Sequence, residues 1–547
     1  MTSKICALCK QNFQIDDEDL AFYEKIGVPT PSLCPEDRQR RRAAFRNERY
    51  LFRRKCDGTG KDIVSMYSPD KPFKIFDQDF WWGDSWSPLD FGQDFDFNRP
   101  FFEQLKELQL KVPRLSLYNF NSENSYYTNH SGENKNCYMD VDTGGCQDVY
   151  FSNWITGCKN CIDCSYTHKS ELCYFCLYSE NCFNCNFCFD CKQLQDCSYC
   201  FDCRSCSSCF LCTGLRKKQF HILNKKVTPE EYKEFVEKYK YSYEMQNEAR
   251  KQLADLMLQT PHKYAHVTES EDCTGDYIFH CKNAQKCYDA WRLWDCKYCY
   301  NTLDTKNGYD CYQPGYHDCE LVYEVHAGHG LFSSKFLHLC RDVHNCDYAD
   351  NCFDSNNLFG CIGIKHNEYC ILNKKYSPEE YKALRAKIIE HMSKTGEWGE
   401  FFPFSYSPFG YNETKAQEYY PITKEDAVAN GFNWSEYEAS APTGQGIVPP
   451  DDVRTVNDSI INNVISCEIT GKPFKIIKQE LEFYRQKGLP IPHKSPQKRY
   501  EERMMLRNPR HLYDRNCSKC GAAIKTTYSP DRKEVIYCDK CYLEAIY

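Results

Sequence analysis

Cys517-x-x-Cys520 and Cys538-x-x-Cys541 have the spacing of a tetrahedral thiolate site. Two C-x-x-C knuckles place four soft donors around one ion, a donor set that suits Zn²⁺. A second set reads Cys6-x-x-Cys9 and Cys34-x-x-Asp37. There Asp37 supplies an oxygen or leaves the fourth position to water. An open position is what catalytic zinc sites use, and a closed one is structural. No His–Asn–His pattern, acid pair or nucleophile constellation accompanies either set. The expected role is therefore structural, the expected cofactor Zn²⁺, and no catalytic residue is assigned.

The two sets belong to two copies of one module. At an offset of 461 residues the ends of the chain align without a gap. Phe13, Leu20, Phe22 and Tyr23 meet Phe474, Leu481, Phe483 and Tyr484, and Tyr67-Ser68-Pro69-Asp70 meets Tyr528-Ser529-Pro530-Asp531. Each copy of about eighty residues has slots for two metal sites, and each has lost one of them. Cys6, Cys9, Cys34 and Asp37 correspond to Cys467, Thr470, Ser495 and Lys498. Cys517, Cys520, Cys538 and Cys541 correspond to Cys56, Thr59, Asp77 and Phe80.

The first half-module, with Cys6-x-x-Cys9, Phe13, Asp19-Leu20-x-Phe22-Tyr23, Gly27, Pro29, Pro31 and Cys34-Pro35-x-x-Arg38, resembles the zinc-ribbon or treble-clef family. That family would carry a cysteine where this chain has Asp37. The chain as a whole resembles a group of cysteine-rich proteins of candidate-phyla bacteria, in which such a module precedes cysteine-rich repeats. The group carries no function over.

A basic stretch follows the first knuckle set. Arg38, Arg40, Arg41, Arg42, Arg46, Arg49, Arg53, Arg54 and Lys55 are interleaved with Ala43, Ala44, Phe45, Leu51 and Phe52, which predicts a helix with one buried face. Arginines beside zinc knuckles suit phosphate backbones. Arg38, Arg41, Arg42, Arg46, Arg49 and Arg53 are the expected contacts to RNA or DNA. The competing expectation is a solvated helix paired with the chain's own acids, among them Asp77 to Asp96.

The middle of the chain must hold these modules. All 17 cysteines from Cys137 to Cys212 share one phase of a three-residue frame that closes every twelve residues. A fixed period with small residues in fixed columns predicts a solenoid. A twelve-residue coil has a contour of roughly 40 Å at strand rise, leaving a lumen that only small side chains fill. The block recurs: Phe220 to Tyr232 matches Tyr369 to Tyr381 at an offset of 149, with a small insertion near 312–318. Three readings of these cysteines remain open: a packed thiol ladder, thiolate–metal binding, and disulfides between coils. His317, His326, His329, His338 and His344 are either ligands or structural residues. Thr228-Pro229-Glu230-Glu231 and Ser377-Pro378-Glu379-Glu380 are helix starts. A helix of about thirty residues is expected after the first and a shorter one after the second.

With 38 cysteines in 547 residues and no apolar leader, reduced or metal-bound thiols in a cytoplasmic protein are expected. A net charge of −8 argues against a uniformly nucleic-acid-coating protein, and no membrane segment is expected.

The expected fold class is mixed, mostly β and irregular: two cysteine-rich β-solenoid blocks with helical caps, flanked by duplicated zinc-ribbon/treble-clef modules. The boundaries are 1–80 for the N-terminal module and 81–117 for an aromatic, acidic connector. Block A spans 118–227 and a helix 228–262, block B 263–376 and a helix 377–395. An aromatic connector and linker occupies 396–460 and the C-terminal module 461–547. The expected function is a non-enzymatic zinc-binding scaffold for nucleic acid or another macromolecule, with a protein partner on the solenoid. The alternatives are a metal-thiolate storage or redox-sensing protein and, last, a treble-clef nuclease.

Overall fold

The three-residue frame resolves into a repeating backbone triplet. In the computed structural model, which describes residues 2–313, 315, 319–438 and 442–546, each of the 17 cysteines from Cys137 to Cys212 follows a residue of positive φ. One left-handed residue between extended ones bends the chain, and repeating this every third residue returns it to its start in twelve. Most L-residues resist that region by about 1–2 kcal/mol. Glycine does not, and asparagine and aspartate resist it less; Asn136, Gly145, Asn160, Asp163, Asn184 and Asp190 all stand there.

Successive coils pair in parallel twelve residues apart, as Cys188 with Cys200 and Cys200 with Cys212. Backbone hydrogen bonds reach both neighbouring coils. Ile162 donates to Cys173 O at 3.0 Å in the next coil, and Asp163 donates to Tyr150 O at 3.1 Å in the previous one.

The inward side chains cover carbonyl oxygens. Cys158 Sγ donates to Thr156 O and Thr167 O at 3.7 and 3.4 Å. Ser179 Oγ reaches Leu177 O and Cys188 O in the same way, at 3.3 and 3.1 Å. A small side chain with one donor therefore fits each inward position, so cysteine, serine and threonine share the columns. All 38 cysteines are free thiols, which sets the disulfide reading aside.

The second stack, entered near Val267, repeats the pattern with two changes of register. Val267 pairs with Ile278 and Gly308 with Val322, offsets of eleven and fourteen, with the twelve-residue offset between them at Gly275 and Cys287 and again after them at His326 and His338. The insertion expected near 312–318 falls within this fourteen-residue interval, and residues 314 and 316–318 of it lie outside the described residues. The interior of the stack mixes cysteines with Leu293, Val322, Val325, Leu337 and Leu358.

The helix starts are in place: Thr228 and Ser377 both form capping boxes. The helix lengths differ from expectation. After the first stack the chain forms two helices, Pro229–Glu237 and Tyr243–Gln259, broken at Tyr241 (φ 69°) and restarted by the Ser242 cap. After the second it forms one helix of 18 residues, Pro378–Thr395.

The two modules match element by element at the 461-residue offset. Helix Asp17–Lys25 matches Lys478–Lys487, and helix Pro35–Ala43 matches Pro496–Met505. The hairpin Phe52–Lys55 with Asp62–Ser65 matches Tyr513–Asn516 with Ala523–Thr526, in the same register.

Over the described residues the protein is mixed, with 32% strand and 25% helix in many small sheets and no closed barrel. It divides into two units. One holds 1–117, 265–437 and 510–512, and the other 118–264, 438–509 and 513–547. The N-terminal module thus shares a unit with the second stack, and most of the C-terminal module with the first.

Candidate metal centres and the arginine clamps

The hairpin Tyr513–Asn516 with Ala523–Thr526 turns through Cys517-x-x-Cys520, where Cys517 N–H bonds Ala522 O at 2.8 Å. Gly521 follows with φ 75°, a conformation glycine adopts at no cost. Strand Val535–Tyr537 and helix Asp539–Ile546 carry Cys538 and Cys541 to the same point. The four sulfurs lie within 4.8 Å of one another, with Cys520 and Cys538 Sγ 3.7 Å apart. Burial pushes the Cys517 thiol up. Backbone N–H groups, beginning with those of Cys520 and Cys538, outweigh it and bring the thiol down to about 6. A thiolate stabilised by knuckle amides is ready to take a cation. The donor set fits Zn²⁺ with all four positions filled by protein.

The N-terminal set is built on the same frame with a different fourth donor. The hairpin Thr2–Ile5 with Asn12–Ile15 presents Cys6 and Cys9, and Cys34 caps helix Pro35–Ala43, whose first turn carries Asp37. These four donors also lie within 4.8 Å. Asp37 Oδ2 sits 3.1 Å from Cys6 Sγ and 3.5 Å from Cys34 Sγ, so the carboxylate points into the cluster where a cysteine would stand. Burial and the Asp37 carboxylate raise the Cys9 thiol to about 11. Three thiolates and one carboxylate still fit a divalent ion.

The two vacated sites are closed by other chemistry. Thr59 Oγ1 donates to Asp77 Oδ2 at 2.9 Å, and Asp77 N–H meets Cys56 Sγ at 3.3 Å. In the C-terminal copy Ser495 caps its helix by accepting from Lys498 N–H at 3.3 Å. Hydrogen bonds join there the positions that in the sister site form a cluster able to hold a metal.

Four of the six arginines expected to meet nucleic acid are buried instead. Arg38, Arg41, Arg42 and Arg46 are between 0% and 5% exposed. Arg38 Nε and Arg42 Nη2 grip the two oxygens of Asp310 at 2.8 and 3.2 Å. Arg41 binds Glu324 at 2.6 Å and Glu400 at 3.2 Å. Arg46 pairs with Glu48 at 3.3 Å and lies over the Tyr312 ring. Arg49 is half-buried and Arg53 exposed. Pairing with the chain's own acids is what the structure shows, but the acids are Asp310, Glu324, Glu400 and Glu48 rather than the Asp77–Asp96 run. The physical reason is local: an unpaired buried guanidinium costs several kcal/mol, and the coils of the stack supply carboxylates where the helix lies.

The C-terminal copy repeats the clamp. Arg499 Nε and Arg503 Nη1 grip Asp163 at 2.6 and 2.8 Å, and Arg507 reaches Tyr178 and Tyr166 hydroxyls at 2.7 and 3.0 Å. Arg499 and Arg503 stand 461 residues after Arg38 and Arg42. Asp310 stands 147 after Asp163, the offset between the stacks ahead of the two-residue insertion. Both aspartates occupy left-handed triplet positions, with φ 56° and 59°. Sequence reasoning missed these acids. The signal that marks them is an aspartate shared by both stacks at the repeat offset.

Among the described residues the metal-capable groups are the two cysteine sets, and no histidine joins either. His326 and His338 stack at 5.3 Å, and His338 Nδ1 meets Asp350 at 2.7 Å, so these rings fill a column of the second stack. His317 lies outside the described residues. Among the described residues no helix is long and apolar enough to cross a membrane. No protein-family model matches the chain, and no curated protein matches it.

Proposed function

We propose that this chain is a non-enzymatic zinc-binding scaffold, in which two modules of zinc-ribbon or treble-clef type each grip a β-solenoid of twelve-residue coils. The observation that carries this reading is the pairing of a four-donor cluster with a buried arginine clamp in one module. In the N-terminal copy Cys34 caps the helix and Asp37 adjoins Arg38, so one ion fixes the helix that delivers Arg38 and Arg42 to Asp310. The zinc is structural on this reading, and the solenoid coils present the surface to a macromolecular partner. A nucleic-acid partner would have to be met by other groups than the four buried arginines, since phosphate would have to displace Asp310 and Glu324. Elemental analysis of the reduced full-length chain tests the zinc: two ions are expected, with one lost in Cys6→Ser/Cys9→Ser and the other in Cys517→Ser/Cys520→Ser. Retention of both ions in either variant overturns the reading.

A further inference from the structure

We propose that two five-thiol columns in the first stack form a site for soft monovalent d¹⁰ ions, Cu⁺ or Ag⁺, each bound linearly between thiolates of successive coils. The columns are Cys161, Cys173, Cys185, Cys197, Cys209 and Cys164, Cys176, Cys188, Cys200, Cys212, every one 0% exposed. They are adjacent. Cys173 adjoins Cys161 and Cys185 in its own column and Cys176 in the next. Cys188 adjoins Cys176, Cys200 and Cys185 in the same way, with Cys191 on its other side, and Cys209 adjoins Cys197 and Cys212, with Cys206 on its other side. The result is a two-by-five grid of thiols, edged by Cys158, Cys182, Cys191, Cys203 and Cys206.

The second stack shows that packing does not demand this grid. At the corresponding positions it carries Gly308, Val322, Val325, Ser334, Leu337, Ala349 and Leu358, with Cys311, Cys346 and Cys361 the three that remain. All seven replacements are buried in the same kind of coil. Five aliphatic residues, with Gly308 and Ser334, therefore fill this lumen, and ten contiguous thiols exceed what filling it needs.

The geometry selects the ion. Two metal–sulfur bonds of roughly 2.3 Å laid end to end span about 4.6 Å, close to the strand spacing of about 4.8 Å. Among the described residues no three lumen thiols converge within 4.8 Å, as the knuckle donors do, so a tetrahedral ion is not served and a two-coordinate one is. Thiolate softness selects Cu⁺ over harder ions. Each ion displaces one thiol proton, RSH + M⁺ → RS–M + H⁺, and the sulfur above donates a lone pair. Charge in the dry lumen is thus conserved one for one. Since the thiols are buried, coils must part to admit ions and loading is slow.

The test uses the reduced, zinc-containing full-length chain, incubated anaerobically with excess Cu⁺, desalted and assayed for copper and zinc. A sulfur cannot hold two ions in line with each other, so alternate gaps fill, and about two ions in each column predict about four Cu⁺ retained with zinc unchanged. Replacing Cys173→Val, Cys176→Val, Cys188→Leu and Cys200→Ala installs the residues of the second stack and should remove at least about half of that copper. X-ray absorption of the loaded wild-type chain, which needs no variant to fold, should show two sulfur neighbours in a linear array. Copper bound only by displacing zinc, equal copper in the substituted chain, or three to four sulfur neighbours would each overturn the proposal.

Discussion

Arg38 and Arg42 hold Asp310 in one unit as Arg499 and Arg503 hold Asp163 in the other, yet the metal sets lie in opposite halves of the two modules. In the N-terminal copy two of the four donors, Cys34 and Asp37, sit at the start of the arginine helix itself. In the C-terminal copy that helix is capped by Ser495, and the donors gather strand Val535–Tyr537 and helix Asp539–Ile546. Tyr542 on that helix donates to Asp202 of the first stack and accepts from Arg216. The comparison teaches that the clamp is present in both copies while the four-donor cluster stands in a different half of each. A buried pair of arginines around one aspartate cannot lose a member cheaply, whereas hydrogen bonds stand in for the donor cluster at the other positions.

The largest effect should come from the four-thiolate site. Structural zinc is worth on the order of 10 kcal/mol in isolated fingers, so Cys517→Ser/Cys520→Ser should melt residues 513–546 and expose them to protease. The same treatment of Cys6 and Cys9 should loosen the arginine helix instead. Mapping the first cleavage site in each variant by mass spectrometry distinguishes them, and identical maps would break the asymmetry.

Next come the clamps. Asp163→Ala and Asp310→Ala each leave two buried guanidinium groups facing each other, at a cost of about 3–5 kcal/mol. Urea unfolding should show similar losses in both variants. A loss in one alone would mean that the matched geometry hides unequal energetics.

Asp37→Cys should sharpen the comparison by giving the N-terminal site the donor set of its sister. Softer ligation should tighten zinc retention by about tenfold, read by competition with a chromogenic chelator. Unchanged retention would show that the carboxylate already serves as well as a thiolate.

The smallest effect concerns acid. Burial would raise the Asp350 carboxyl, but Arg114 at 2.7 Å and His338 hold it well below the usual carboxylate range. Its contribution is therefore complete above about pH 4, the ordinary carboxylate value, and is lost as pH falls further. The slope is at most about 1.4 kcal/mol per pH unit for one group. The first stack has Phe201 at the corresponding position. Acid should loosen the unit of the second stack first, visible in the near-UV signal of buried Trp81, and Asp350→Asn should flatten that dependence.

Much of the architecture was written in residue spacing. Cysteines in a single three-residue phase report the coil period because each triplet turns one small side chain inward. The 461-residue alignment foretold matching helices down to their first residues, because caps such as Asp16 and proline-led starts such as Pro35 and Pro496 are local signals. The eight cysteine and aspartate donors could be named because knuckle spacing is local as well. The break at Tyr241 was not legible, since a positive φ at a tyrosine carries no compositional mark.

What the sequence determined by itself, then, is everything whose cause lies within a dozen residues: the triplet, the coil, the knuckles and the helix caps. What only tertiary structure decided is the fate of the charges. Nine basic residues within eighteen read as a surface for phosphate, because a sequence shows the arginines and not the carboxylates opposite them. Asp310 lies 272 residues from Arg38 and Glu324 lies 283 from Arg41, separated by intervals set by coil stacking. Burial turns such a separation into an ion pair, and burial is a property of the packed unit, not of any segment in it.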